Sequence, residues 1–315
     1  MQPRLLECLS CLNCGASDLT LTAAEEVDGE VKEGEIACCC GRTVPVRSYI
    51  PRFVRDDAYV GNFSFEWNVH RRTQLDSANG TRESEIRFAS AMDFPLADLK
   101  DKLVLDVGCG TGRFAEIVLK HGGTVVGVDL SYAVDAAFAN IGRHPRMHIL
   151  QADVFELPLR EGQFDLIYSL GVLHHTPDPR KAFASLGPLL KPGGKVAVQL
   201  YPAYNRAYVL VTEFWRKFTR RLPRRVLYAL AHLAVPLYYL YRIPGLYHLG
   251  CATFPISMHR SWRWRVLDTF DLYSPRYQSH HTHSEVFRWF EEAGLERIRV
   301  HEPGISLIGQ RPVGA

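Results

Sequence analysis

The residues best suited to chemistry stand where apolar runs end. Leu103, Val104, Leu105 and Val107 belong to a short run that reads as a buried strand. Asp106 lies two residues before three glycines spaced G-x-G-x-G, at Gly108, Gly110 and Gly112. From Arg113 to Lys120 the spacing becomes helical, and Gly122 and Gly123 stop it. Strand, glycine turn and helix in that order bring backbone N–H groups and bare backbone against a ligand. A second run, Thr124 to Val128, ends in Asp129, whose carboxylate can accept from both hydroxyls of a ribose. A glycine turn alone also serves dinucleotide oxidoreductases, as does that acid, so Asp106 and the glycine spacing discriminate better. His174 and His175 follow another apolar run. Histidine titrates near neutral pH, so either can deprotonate a hydroxyl or amine; the alternative is that both only brace their loop.

Eight cysteines crowd toward the N-terminus, which favours metal chemistry in a reducing compartment over a disulfide framework. Cys11 and Cys14 form a C-x-x-C pair before Gly15, and Cys38, Cys39 and Cys40 precede Gly41. Two such knuckles suit a tetrahedral zinc site with four thiolates, which would replace the core that so few residues cannot build. A second C-x-x-C would need cysteine at Ala37, so Cys38 with Cys40 is the preferred second pair and Cys39 the substitute. Cys8 reads as packing. The competing reading is a metal-free ribbon with buried thiols.

Five stretches resemble, in order, the motifs of class I S-adenosylmethionine (SAM)-dependent methyltransferases. They are Asp106-Val-Gly-Cys-Gly-Thr-Gly112, Val125-Val-Gly-Val-Asp-Leu-Ser131, Gln151-Ala-Asp-Val-Phe-Glu-Leu-Pro158, the run Phe164 to His175, and Leu190-Lys-Pro-Gly-Gly-Lys-Val196. The resemblance implies a role for each residue. Gly108 and Gly110, within the turn closed by Gly112, pass close to the methionine part of SAM, and Asp106 helps orient its amino group. Asp129 holds the ribose and Leu130 lies on the adenine face. Asp153 accepts from the adenine amino group, with the Val154 backbone N–H at the ring. Arg113 either reaches the SAM carboxylate or pairs on the helix surface. His174 is the first candidate for a catalytic base and His175 the second. Methyl transfer from a sulfonium can proceed largely by alignment, so a base is optional. Residues 1 to 55 resemble zinc-ribbon-like domains fused to some bacterial methyltransferases, through Gly41-Arg-Thr-Val-Pro-Val46. Neither an Asn/Asp-Pro-Pro-Tyr motif nor a Pro-Cys pair follows the fourth strand. This argues against amide or adenine N-methylation and against methylation of cytosine at carbon five.

The elements that must position these residues form an α/β chain. The expected fold is a Rossmann-like, doubly wound methyltransferase sheet with a final antiparallel strand, a small N-terminal zinc-ribbon-like domain and a mostly helical insertion. The expected divisions are 1–55 for the ribbon, 56–98 for an aromatic and helical cap, 99–201 for the SAM-binding core, 202–282 for the insertion or acceptor lid, and 283–315 for the closing helix and strands. Helices are expected at Ser84 to Met92 and Ser284 to Ala293. Strands are expected at Lys195 to Leu200, Leu295 to His301 and Ile305 to Arg311. Tyr59, Phe63, Phe65 and Trp67 either cover the pocket or glue the ribbon to the core. The insertion interleaves Trp215 and Phe218 with Arg216, Lys217, Arg220, Arg221, Arg224 and Arg225. A lid packed on the core is the preferred reading, and a basic amphipathic pair on a membrane surface the other. Tyr273, Tyr277, His280 and His281 are expected near the pocket mouth or as packing in a connector.

Composition bounds the rest. The chain has 315 residues, 47% hydrophobic and 23% charged, with a formal charge of +3. It is therefore globular, and nothing in its balance calls for nucleic acid. No signal peptide is visible, and Val226 to Tyr241, broken by His232 and Pro236, is short for a spanning helix. The expected location is cytoplasmic, or peripheral at a membrane. The expected function is SAM-dependent methylation of a small-molecule or lipid-linked acceptor at oxygen. An RNA methyltransferase with a zinc module is one alternative, opposed by the acidic hairpin around Glu25, Glu26, Asp28 and Glu30. A non-catalytic SAM-binding scaffold is another. Oligomeric state stays open.

Overall fold

The computed structural model describes residues 1–54, 59–92, 94–301 and 304–314. The expected division between 55 and 56 lies outside the described residues, as does Ala315 at the end of the last segment.

After a 3-10 turn at Pro3–Cys8, the chain forms an antiparallel sheet of β1 (Leu19–Val27), β2 (Glu30–Cys38), β3 (Thr43–Arg47) and β4 (Ile50–Pro51), in that order. Asp28 and Gly29 both take positive φ, the requirement of a two-residue hairpin turn. β1 buries no residue along its length. The apolar row of this sheet is Val31, Ile36, Val44 and Val46, and it faces the rest of the protein. Three helices follow: α1 (Gly61–Val69), the short α2 (Asp76–Asn79) and α3 (Glu83–Met92).

The core alternates strand and helix: β5 (Leu103–Val107), α4 (Ala115–Lys120), β6 (Thr124–Asp129), α5 (Ala133–Ile141), β7 (Met147–Gln151), β8 (Phe164–Leu170), α6 (Pro179–Ala184) and β9 (Leu190–Leu200). The insertion adds α7 (Arg206–Thr219), α8 (Arg224–Ala231), α9 (Ala234–Tyr241), α10 (Leu246–Thr253) and α11 (Trp262–Tyr273). The chain closes with α12 (His283–Glu292), β10 (Glu296–His301) and β11 (Ile305–Gln310). Thr282 caps α12, its hydroxyl accepting from the Glu285 backbone N–H at 3.2 Å. The seven-stranded sheet runs β10-β11-β9-β8-β5-β6-β7, parallel throughout β5 to β9, with β11 antiparallel to β9 and β10 antiparallel to β11. β9 begins earlier than the expected Lys195, because Leu190 already pairs with Phe164 and a register shift absorbs the Lys191 to Gly194 turn.

Both sheet faces are buried, as the alternation within each strand requires. Leu105, Val107, Val126 and Val128 point to one side, where α6 and α12 bring Phe183, Trp289 and Phe290, with Leu186 just after α6. Val104 and Val125 point to the other, against α3, α4 and α5. The N-terminal unit shares the first face: Leu5, Leu9, Ile36 and Val46 join the same apolar cluster as Leu159 and Phe164. Leu9 bridges Leu159, and Arg160 donates to the carbonyls of Leu9 and Ser17 at 2.8 and 2.6 Å.

Candidate functional site

Strand order reverses between β8 and β5, and a cavity of about 510 Å³ opens at their carboxyl ends. Open parallel sheets take ligands at this position, and the volume is in the usual range for small-molecule sites. Gly108 and Gly110 after β5, Asp129 and Leu130 after β6, and Asp153 and Val154 after β7 all line it. His175 lines it from the turn after β8. Three expected site residues are not on the wall. Asp106 lies beneath it, 2% exposed. Gly112 faces away, where a Cβ would strike Ile141 of α5. His174 lies behind His175.

The glycine turn has a positive φ at Gly110 of 51°, and a Cβ there would project toward Trp67. A glycine at this point satisfies the backbone and keeps the space open. The Gly110 N–H donates to one Asp129 carboxylate oxygen at 2.9 Å, and Ser131 donates to the other through its N–H (2.8 Å) and hydroxyl (2.6 Å). Burial raises the Asp129 pKa, and these three donors oppose that shift. Asp106 is pushed up to about 7, by burial and then by the charge of Asp129. Its Oδ2 has no partner within the protein.

Other elements close the cavity. Phe63, Glu66 and Trp67 of α1 line it, while Phe65 packs on Tyr228 and Phe270 of the insertion. The aromatic segment therefore covers the cavity and also meets the insertion. The N-terminal sheet attaches elsewhere, where Phe53 N–H donates to the Gln151 carbonyl at 2.8 Å and Arg52 reaches Gln151 and Asp135. From α11, Trp264, Asp268 and Asp271 line the far end at i, i+4 and i+7. Arg113 is buried in the wall, not paired on a helix surface. It donates to Ser84 Oγ at 2.9 Å and Gln74 Oε1 at 3.1 Å, and its guanidinium lies 5.0 Å from the Trp264 ring. Burial lowers its pKa to about 9.

The two histidines differ. His175 Nδ1 lies 3.1 Å from the Tyr277 carbonyl. A carbonyl only accepts, so Nδ1 carries the proton and Nε2 keeps the lone pair. Burial lowers the His175 pKa, and the Asp271 charge opposes this. His174 is fully buried, stacks on Tyr201 at 3.8 Å between centroids, and has no hydrogen-bond partner on either ring nitrogen. Of the expected mouth residues, His280 lines the cavity. His281 is held between Ser279 and Glu285, and the Tyr273 hydroxyl bonds to the Pro255 carbonyl.

Sequence reading did not single out Glu66, Asp268 or Trp264. Glu66 is wholly buried with both oxygens unpartnered, and burial, then Asp271 and Asp268, raise its pKa well above the carboxylate range. Its signal was a lone acid inside Phe63-Ser-Phe-Glu-Trp67. For α11 the signal was the helical spacing of Trp264, Asp268 and Asp271.

A family model described as a methyltransferase domain matches residues 105–198, from the first core strand to the fifth. Residues 105–198 are a class I SAM-dependent methyltransferase domain. The chain is 36% identical over 113 residues to the ubiquinone biosynthesis O-methyltransferase of Coxiella burnetii, covering 35% of this chain and 48% of that protein. It is 33% identical over 132 residues to the protein of the same name from Thiobacillus denitrificans, covering 41% and 56%. The chain thus spans about half the length of the curated relatives it matches. A solved SAM-dependent methyltransferase from Aquifex aeolicus aligns at 16% identity with a TM-score of 0.44, covering 79% of this chain and 96% of that one.

SAM is the cofactor of this methyltransferase domain. The cavity fits it: Asp106 Oδ2 is buried just beneath the wall without a hydrogen-bond partner, and Arg113, on the wall, has no ion pair among the described residues. The N-terminal unit fits zinc. Cys11, Cys14, Cys38 and Cys40 place four sulfurs within 4.8 Å of one another, with Cys11–Cys40 at 3.6 Å and Cys14–Cys38 at 3.5 Å. A zinc–sulfur bond of about 2.3 Å makes the edge of a tetrahedron about 3.8 Å. Cys39 is not in the quartet, and Cys8 is buried in the apolar cluster. Among the described residues no grouping of His280, His281 and His283 offers a second metal site.

Proposed function

We propose that the protein transfers a methyl group from SAM to a hydroxyl of a small-molecule acceptor. The observation that carries this is the continuity of one cavity from Asp129 and Asp153 at one end to His175, Tyr201 and Asp271 at the other. Relatives named as O-methyltransferases favour oxygen as the atom methylated.

Bound SAM supplies an electrophilic sulfonium methyl group. Asp129 accepts from the ribose hydroxyls, Leu130 lies on the adenine face, and Asp153 with the Val154 N–H reads the adenine edge. The Asp106 carboxylate, beneath the cavity wall and raised to about 7 without a ligand, acts on the amino group through its charge, and that cation in turn favours its ionised form. Arg113 receives the methionine carboxylate. Phe63 and Trp67 exclude water from the reacting end. His175 Nε2 takes the proton of the acceptor hydroxyl, and the Asp271 charge favours the imidazolium that results. Tyr201, whose hydroxyl donates to Asp271 at 3.1 Å, and His174 stacked beneath it hold this wall in place.

Calorimetry with S-adenosylhomocysteine, followed by an acceptor screen with methyl-labelled SAM, tests the reading. Saturable nucleoside binding and label transfer to a phenol or alcohol are expected. Absence of nucleoside binding sinks it. The scaffold alternative fits poorly, because the N-terminal unit shares its apolar core with the sheet instead of standing free.

A further inference from the structure

Helix α7 has its polarity reversed. α7 buries Thr212, Arg216 and Thr219, and turns Leu210, Phe214 and Phe218 outward, 70%, 54% and 54% exposed. Those three residues, at i, i+4 and i+8, form one stripe. Arg216 is satisfied inside by Gln278 Oε1, the Pro275 carbonyl and Glu213. Polar side chains inward and large apolar ones outward is the reverse of a lid helix in water. The apolar exposure extends along the insertion, although α8 also buries Leu227 and Ala231 in the ordinary sense. Among the described residues, twelve of nineteen exposed large apolar side chains lie between Leu210 and Leu249, on α7 to α10 and their connections. α7, α8 and α9 all pack on α11, whose inner side walls the cavity, so these apolar side chains belong to the outer surface of that layer.

Charge decides what covers this surface. Residues 202–254 carry eight arginines and lysines and one acid, Glu213, which pairs inward with Arg216. Among the described residues Lys217, Arg221 and Arg225 have no acidic partner. Arg220, Arg224 and Arg276 line a second cavity with Asn62 and Ser274, and among the described residues no carboxylate lines it. Apolar and aromatic side chains among unpaired cations match a bilayer interface with anionic lipids. An RNA would meet the arginines but leave the apolar stripe in water. No described helix is long and apolar enough to cross a membrane.

We propose that the outer face of α7 to α10 docks on an anionic membrane surface, with Leu210, Phe214 and Phe218 in the acyl boundary and Lys217, Arg221 and Arg225 among the headgroups. This goes beyond the methyltransferase reading and does not depend on it. The docked layer is the one whose other side walls the active cavity.

The test is cosedimentation of the full chain with vesicles of phosphatidylcholine and phosphatidylglycerol at 7:3, against phosphatidylcholine alone, at low salt. Binding to the mixed vesicles only, weakened by high salt, is expected. The variant L210S/F214S/F218S loses it, and K217E/R221E/R225E lowers partitioning by at least about tenfold. Melting by circular dichroism, which needs neither cofactor nor turnover, establishes that both variants are folded. The chain staying in the supernatant with both vesicles overturns the proposal, as does undiminished binding by the folded serine variant. A dimer of the parent chain that the serine variant dissolves, without vesicle binding, overturns it in favour of a second copy of this chain.

Discussion

A single peptide step separates His174 from His175, yet they meet different chemistry. Nδ1 of His175 is committed to the Tyr277 carbonyl, leaving Nε2 as the only basic atom of the pair on the cavity wall. His175→Ala is expected to lower kcat by about 10²–10³-fold while S-adenosylhomocysteine affinity stays within about twofold of the parent. Measuring both on one preparation separates base from brace. His174→Phe keeps the stack on Tyr201 and is expected to keep most activity. Asp106 makes a second prediction. A carboxyl raised to about 7 in the fold stays protonated where the unfolded chain has already ionised. The folded state then binds more protons, so stability of the ligand-free protein falls as pH rises from about 4 to 7 and levels off above. Asp106→Asn is expected to flatten that slope, by an amount on the order of 4 kcal/mol across the window. Melting temperature against pH for parent and variant, without nucleoside, reads it directly. Equal slopes would remove Asp106 as the titrating group.

Elements contribute constraint instead of chemistry. β1 has no fully buried residue, and beyond the half-buried Leu19 and Leu21 the apolar supply of its sheet is the row of Val31, Ile36, Val44 and Val46. Four thiols at the end opposite the Asp28-Gly29 turn are therefore the natural clasp. Cys38→Ser is expected to abolish stoichiometric zinc in elemental analysis and to lower the melting temperature by several degrees. A metal-free parent with unchanged melting would count against the clasp. α1 works from the other side. Its apolar residues do not share one face, because Phe63 and Trp67 serve the cavity while Phe65 serves the insertion. Trp67→Ala is expected to raise KM for the acceptor more than it weakens nucleoside binding, since Trp67 covers the wall beside Gly110 without supplying a hydrogen bond there.

At the scale of the molecule, two additions to the methyltransferase domain are joined to it in different ways. The N-terminal sheet covers part of one face of the large sheet and shares its core. Leu9 is fully buried against that interface. Leu9→Ala is expected to cost about 2–5 kcal/mol in denaturant unfolding of the whole chain. Residues 1–54 alone, even with zinc, are expected to show no cooperative melting, because their apolar row would lie open. The insertion instead builds its own small core around Leu227, Val266, Phe270 and Tyr273. Its inner wall completes the far end of the cavity, and its outer surface is left apolar and basic.

What the amino-acid order determined by itself is local. Strand, turn and acid lie within a few residues of one another in the motif from Asp106 to Gly112. Short apolar runs, helical spacing and glycine stops therefore revealed the sheet and its closing strands. The cysteine knuckles were legible for the same reason, although their quartet needed two loops more than 20 residues apart to meet. Tertiary structure alone decided how the wall of the cavity is assembled. Glu66, Arg113, His175 and the Trp264, Asp268, Asp271 face of α11 come from four separated segments, and no spacing links one segment to another. It also decided which histidine faces the cavity, because a 3-10 turn at Leu173–His175 sets the two rings 4.2 Å apart on different neighbours. The direction of α7 was likewise invisible. A helix with one apolar and one charged stripe is the same sequence whichever stripe turns inward, and only the hydrogen bonds that satisfy Arg216 inside the fold choose between them.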